Sequence, residues 1–188
     1  MDYLLDTNAK ERNLIEAIIN NERWAQRQLY EQYYSPLMSI CLRYAANEKD
    51  AEDVLHESFI KIFKNIHRYN VGTSLKNWMS RIVVNTSIDH YRKKSKMETV
   101  ELSGVYHLRT SEPGAIEKLT AKEIIAALQQ LTGIYRAIFN MFVVEGYSHK
   151  EIAKKLNISE STSRSNLVKA RKKLKEILLA KDKKYDKK

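Results

Sequence analysis

Apolar residues recur at three- and four-residue steps in several separate stretches of the chain, while the two-residue alternation of strands is weak throughout. That period predicts helices with one buried face each. In KDAEDVLHESFIKIFKNI the face is Ala51, Val54, Leu55, Phe59, Ile62, Phe63 and Ile66, with Asp50 as the expected N-cap. SLKNWMSRIVVNTSIDHYRKK repeats the pattern through Leu75, Trp78, Met79, Ile82, Val83 and Thr86, and Ser74 is placed to cap it. A third long helix is predicted over residues 24–44, bent near Pro36, with a shorter one over residues 14–19 leaning on the other three.

The pattern stops after Lys94. SKMETVELSGVYHLRTSEPG carries no sustained period and holds Gly104, Pro113 and Gly114, so it reads as a linker. Periodicity resumes at Ala115, where Ile116, Leu119, Ile124, Leu128 and Leu131 predict one helix and residues 134–144 another. The expected fold class is all-α: two small helical domains, 1–94 and 115–180, joined by a flexible linker over 95–114 and followed by a basic tail over 181–188. Only two Pro and five Gly in 188 residues agree with this and disfavour a turn-rich β architecture.

The stretch SHKEIAKKLNISESTSRSNLVKARKKL refines the second domain. Ser148 followed three residues later by Glu151 is a capping box, so a helix begins there. Ile152, Ala153 and Leu156 face inward, Asn157 tolerates a left-handed turn, Ile158 fills the angle and Ser159 caps a second helix. Helix, tight turn and longer helix make a helix-turn-helix, whose second helix enters the DNA major groove with its N-terminal residues at the base edges. Those residues are Ser161, Thr162, Ser163, Arg164, Ser165 and Asn166. Small hydroxyl residues permit close approach, and Arg164 and Asn166 carry the forked donors and amide pair suited to guanine and adenine. Lys169, Arg171, Lys172 and Lys173 fit phosphates, which position a protein without reading sequence. An ordinary helical hairpin with a solvated basic face is the competing reading.

Charge agrees with a polyanionic partner. The formal net charge is +10, and 11 basic against 4 acidic residues fall between positions 159 and 188. The final KDKKYDKK is read as a solubilising tail. Cys41 is alone, which excludes an internal disulfide and a multi-cysteine zinc site. No His pair at metal-ligand spacing, phosphate-cradling glycine loop or nucleophile triad is visible, so no catalytic residue, metal or cofactor is expected. No apolar run approaches the roughly 18 residues of a membrane span, and MDYLLDTNAKER lacks the basic start and apolar stretch of a leader, so the expected place is the cytoplasm.

The stretch from Lys49 to Lys94 resembles the central conserved region of bacterial sigma factors, specifically the extracytoplasmic-function group. Members show an acidic D-A-E-D-V-x-Q-E-x-F helix, a short loop, a W-L-x-x-I-A-x-N helix and an I-D-x-x-R-K ending. LQQLTGIYRAIFNMFVVEGYSHKEIAKKLNISESTSRSNLVKARKKL is similar to the group's promoter-reading domain. The resemblance implies an alternative sigma factor whose partners are core RNA polymerase, through its clamp coiled coil and flap, promoter DNA, and an anti-sigma factor, often membrane-anchored. It assigns polymerase docking to Asp50, Glu52, Asp53, His56, Glu57, Phe59 and Ile60. Capture of a base flipped from the single-stranded −10 element falls to the loop HRYNVGT and the helix after it, with Tyr69, Asn70, Thr73 and Asn77 as candidates. Arg81, Asn85, Asp89, Arg92 and Lys93 follow as a polar stripe along single-stranded phosphate. Read without the resemblance, the Tyr and Trp of this stretch fit a core as readily as a stacking platform.

Three positions depart from the group's pattern. His56 replaces its Gln, Leu131-Thr132 replaces its L-P while keeping a possible cap, and STSRSNL stands where G-T-V-K-S-R-L is commoner, so the preferred −35 bases do not transfer. A twenty-residue linker reaches about 65 to 70 Å when extended and averages roughly 25 Å as coil. Two DNA turns span about 70 Å. With the domains' own widths added, both promoter elements come within reach, and joining two weak sites raises affinity. The alternative is a stand-alone helix-turn-helix regulator, which would bind duplex DNA without polymerase; a basic amphipathic membrane-surface module leaves the helix-turn-helix unexplained.

Overall fold

The computed structural model describes residues 2–98 and 120–185, with side chains over 9–95 and 120–180. The linker beyond residue 98, with Ala115, Ile116 and Leu119, and the side chains of the basic tail lie outside the described residues. Every named element among the described residues is helical: α1 (Asp2–Ile19), α2 (Arg23–Tyr44), α3 (Glu48–Asn65), α4 (Leu75–Glu98), α5 (Ala121–Gln129), α6 (Gly133–Phe139), α7 (His149–Leu156) and α8 (Glu160–Tyr185). A 3₁₀ turn covers Ile66–Arg68 and a π-helical turn Asn140–Val144. The chain forms two compact units, one made of Met1–Cys41 with Lys49–Ser87, the other of Leu42–Glu48 with Ile88–Lys188.

Helix α1 is longer than the predicted six residues, and α2 continues through Pro36 to Tyr44, its residues up to Cys41 in the first unit. Helix α3 starts at Glu48, so Asp50 sits in its first turn and is not its cap. Its buried face is Ala51, Val54, Leu55, Ser58, Phe59 and Ile62, with Phe63 only half-buried. The buried Ser58 hydroxyl donates to the Val54 carbonyl at 2.7 Å, which satisfies it inside an apolar stripe. Ser74 accepts the Asn77 N–H at 3.3 Å at the start of α4, as its position predicts. Leu75, Met79 and Val83 are buried beneath it, with Trp78 and Ile82 at the margin.

In the second unit Thr120 and Glu123 form a capping box that opens α5. Ala127, Leu128 and Leu131 then meet Leu174 and Ile177 of α8, with Tyr135, Phe139 and Leu178 packed around them. Ile124, expected on this face, is exposed. Thr132 precedes α6 but makes no side-chain cap bond, so the possible cap in place of the L-P is not realised. Helix α6 gives way to the π turn at Asn140, where a single helix over 134–144 was expected.

The polar centre of this unit is Arg136, 5% exposed. Its Nε donates to the Tyr44 carbonyl at 2.8 Å and its Nη1 to the Gln129 carbonyl at 3.0 Å. Asn140 Nδ2 donates to the Arg43 carbonyl at 2.7 Å, and Gln129 Nε2 to that of Leu42 at 3.3 Å. The Leu42, Arg43 and Tyr44 carbonyls, which belong to this unit, fall in a last helical turn and have no partner within it, so these side chains satisfy them. Replacing Arg136 by Met strands two or three buried acceptors and should destabilise the unit by about 3 kcal/mol, read as a lowered urea midpoint. A loss below about 1 kcal/mol would contradict this account of the guanidinium.

Candidate nucleic-acid interface

The helix-turn-helix is built as the sequence predicts, each corner with its own chemical cause. Ser148 Oγ accepts the Glu151 N–H at 3.3 Å while the Glu151 carboxylate accepts the Ser148 N–H at 2.8 Å and hydroxyl at 2.7 Å. Those donors hold the Glu151 carboxyl below the usual glutamate range. Asn157 takes φ 55° and ψ 50° and ends α7, and the Ile158 N–H donates back to the Ala153 carbonyl at 3.1 Å. Ser159 Oγ accepts the Thr162 N–H at 3.0 Å and starts α8. Ile152, Ala153 and Leu156 are buried and Ile158 is half-buried in the angle.

Along α8 the expected readers separate into two groups. Ser161, Thr162, Arg164 and Ser165 are exposed and Asn166 is half-buried. Ser163 is fully buried and is therefore removed from the surface: its hydroxyl lies 2.9 Å from His149 Nδ1. The reason is register, since Ser163, Leu167, Ala170, Leu174 and Ile177 share the stripe that faces the core. Lys169, Arg171 and Lys172 are exposed, whereas Lys173 is half-buried, 3.7 Å from Glu176. Arg164 is held by Glu160 at 2.8 Å, an exposed pair of small worth that a DNA base can displace. Arg171 lies over the Phe142 ring, 5.9 Å from its centroid. Lys150 and Lys154, exposed on α7, add positive charge that the motif reading did not single out.

In the first unit the loop after the 3₁₀ turn closes on itself. Tyr69 is buried, its hydroxyl 2.7 Å from the Glu11 carboxylate and 2.5 Å from the Thr73 carbonyl, its ring 5.7 Å from that of Trp78. Burial, with Glu11 as acceptor, pushes the hydroxyl up to about 12, so it stays a neutral donor. Tyr69 is thus core, with the half-buried Trp78 beside it, and is not presented to a base. Gly72 at φ +98° allows the turn that brings Thr73 Oγ1 to the Asn70 carbonyl at 2.8 Å. Asn70, Thr73 and Asn77 are exposed, and so are Arg81, Asn85, Asp89, Arg92 and Lys93 along α4, with Asp89 3.7 Å from Arg92.

Of the residues assigned to polymerase docking, Glu52, Asp53, His56 and Ile60 are exposed and Asp50 and Glu57 half-buried. Glu57 pairs with Lys61 at 2.8 Å, and His56 Nε2 lies 3.5 Å from the Tyr30 hydroxyl. Phe59 is buried against Tyr30, ring centroids 4.6 Å apart, so it supports the helix from within and offers no surface to a partner. Among the described residues no helix is long and apolar enough to cross a membrane, and no three His, Cys, Asp or Glu are grouped to hold a metal.

Two outcomes follow for the turn. Asn157→Gly should be near neutral, while Asn157→Val, β-branched at a positive φ, should cost about 1–2 kcal/mol in chemical denaturation. Because the Glu151 carboxyl is lowered on folding, its contribution is full above the ordinary glutamate range and is lost as pH falls through its folded value. The stability difference between wild type and Glu151→Gln should therefore shrink on acidification; a difference that grows would contradict the box.

Comparison with known proteins matches both units to one family. A family model described as Sigma-70 region 2 matches residues 29–97, and one described as Sigma-70, region 4 matches residues 121–174. The chain is 30% identical over 154 residues to the RNA polymerase sigma factor SigZ of Bacillus subtilis (80% of this chain, 85% of that one). It is 28% identical over 156 residues to the ECF RNA polymerase sigma factor SigE of Mycolicibacterium smegmatis, covering 80% of this chain and only 60% of that longer relative. It is also similar to the structure titled as CnrH in complex with the cytosolic domain of CnrY, with a TM-score of 0.46 and 20% identity over 90% of this chain and 97% of that one. With both models matched in order, and a relative at this identity covered over most of its length, the chain belongs to the sigma-70 family of RNA polymerase sigma factors, in its extracytoplasmic-function (ECF) group.

Proposed function

We propose that the chain binds core RNA polymerase and directs transcription initiation by recognising −35 and −10 promoter elements and aiding strand opening. The polymerase supplies all phosphodiester chemistry and this chain contributes recognition, so it works where transcription does, in the cytoplasm. The observation that carries the reading is the ordered pair of family matches, 29–97 and 121–174, with a recognition helix in the second that is capped by Ser159 and exposed at its start. Duplex reading at −35 is supported by Arg164 and Asn166 near the start of α8, with Thr162 beside them and Lys169, Arg171 and Lys172 placed for phosphates. For the −10 strand, the exposed amides and hydroxyl of Asn70, Thr73 and Asn77 support base capture, and Arg81, Arg92 and Lys93 backbone contact. Docking on the clamp coiled coil rests on the exposed Glu52, Asp53, His56 and Ile60; flap contact and an anti-sigma partner that masks these surfaces belong to the same reading. A stand-alone regulator leaves residues 29–97 without a role.

Run-off transcription with purified core enzyme and a genomic promoter library tests this. Specific start sites should appear only when the chain is added; none, with the core shown active by another sigma factor, would refute it. Arg164→Ala should relax upstream-element preference by about 1–3 kcal/mol, whereas Lys172→Ala should weaken all sequences alike and lower the salt slope by about one phosphate.

A further inference from the structure

Among the described side chains of α8, Ser163 is the one polar residue that is fully buried, flanked in sequence by the exposed Thr162 and Arg164. In the G-T-V-K-S-R-L pattern this register carries Val, so a hydroxyl stands here where an alkyl group would be at home. A buried hydroxyl without a partner destabilises its surroundings, so the one it has matters. That partner is His149, the first residue of α7, whose Nδ1 lies 2.9 Å from Ser163 Oγ. The imidazole is itself fixed: it stacks on Phe142 of the π turn, centroids 4.5 Å apart and planes 25° apart. Phe142 in turn carries the Arg171 guanidinium over its ring. The π turn, α7 and α8 are thereby tied side chain to side chain.

We infer that His149 is a positioning residue for promoter reading: by taking up the buried Ser163 hydroxyl it lets α8 lie straight and fully seated on the core, and so sets where Thr162 and Arg164 meet the upstream element. The inference rests on the sigma-factor reading for its promoter effect but not for the strut itself. The two ends are unequal. His149 is half-buried, so water can serve its ring when Ser163 is lost, whereas on loss of His149 the buried Ser163 hydroxyl can only turn back to the Ser159 carbonyl of its own helix, a bond that bends and weakens a helix. An alkyl side chain at 163 needs no partner, so it should repair the loss of the histidine.

The test uses the full chain, reconstituted with core polymerase on a promoter that the wild type selects, with its upstream element intact or scrambled. His149→Ala should lower the intact-to-scrambled ratio about tenfold, and His149→Ala with Ser163→Val should return it to within about threefold of wild type. A ratio unmoved by His149→Ala, or a double variant no better than the single, overturns the proposal; so does a tenfold loss with Ser163→Val alone, which would show that the bond itself, and not relief of the buried hydroxyl, matters. Thermal midpoints of the same four proteins judge the strut without polymerase. Recovery in the double variant supports it and additive losses overturn it. Should the wild type initiate nowhere, the sigma reading fails while the midpoints still decide whether the strut exists.

Discussion

The angle between α7 and α8 is the constraint on which DNA reading depends. It is held by a turn of very few residues, in which Asn157 occupies the left-handed region, the Ile158 N–H returns to the Ala153 carbonyl and Ser159 takes the Thr162 N–H. Each of these bonds is modest alone. Together they leave the chain one route from the first helix to the second. Ile152, Ala153 and Leu156 beneath them convert that local route into a packed corner, and the stripe from Leu167 to Ile177 anchors the second helix to α5 and α6. What remains outside is a short exposed arc of Ser161, Thr162, Arg164 and Ser165, backed by lysines and arginines further along.

Much of this was legible before any coordinates, because caps and periodicity are local. Ser148 with Glu151, Asn157, Ser159 and Ser74 each do what their spacing predicts. The misplacement of Ser163 has one cause, in that side-chain chemistry was weighed ahead of register. Ser163 looks like a base-edge hydroxyl, yet it lies four residues before Leu167 and seven before Ala170, on the core face. Phe59 is a different case: periodicity places it on the stripe of Val54, Leu55 and Ile62, where it lies, and only the resemblance assigned it to docking. Tyr69 could have been either core or platform, and its acceptor, Glu11, lies 58 positions away, beyond any local pattern. The same distance hid Arg136, whose carbonyl partner Tyr44 is 92 positions removed, and His149, whose bond to Ser163 crosses the turn. The π turn at Asn140–Val144 has no composition that announces it.

The exposed cations are not idle charge in the free chain. Arg164 is paired with Glu160 and Arg92 with Asp89, both on neighbouring helical turns. Such exposed pairs contribute little and are screened by salt, so a phosphate or guanine can take them over at small cost. They also temper the attraction of a +10 chain for unspecific nucleic acid. Affinity that is weak at each site and useful only when both units engage is the behaviour the proposed role requires.

Cleavage from a hydroxyl-radical source tethered at the start of α8 tests the central claim most directly, using Ser161→Cys in a Cys41→Ala background. With core polymerase present, cuts should cluster in one major-groove face of duplex DNA upstream of the start site, and should vanish when the polymerase is left out. Cuts spread evenly over the DNA, or an identical pattern from the chain alone, would contradict the account.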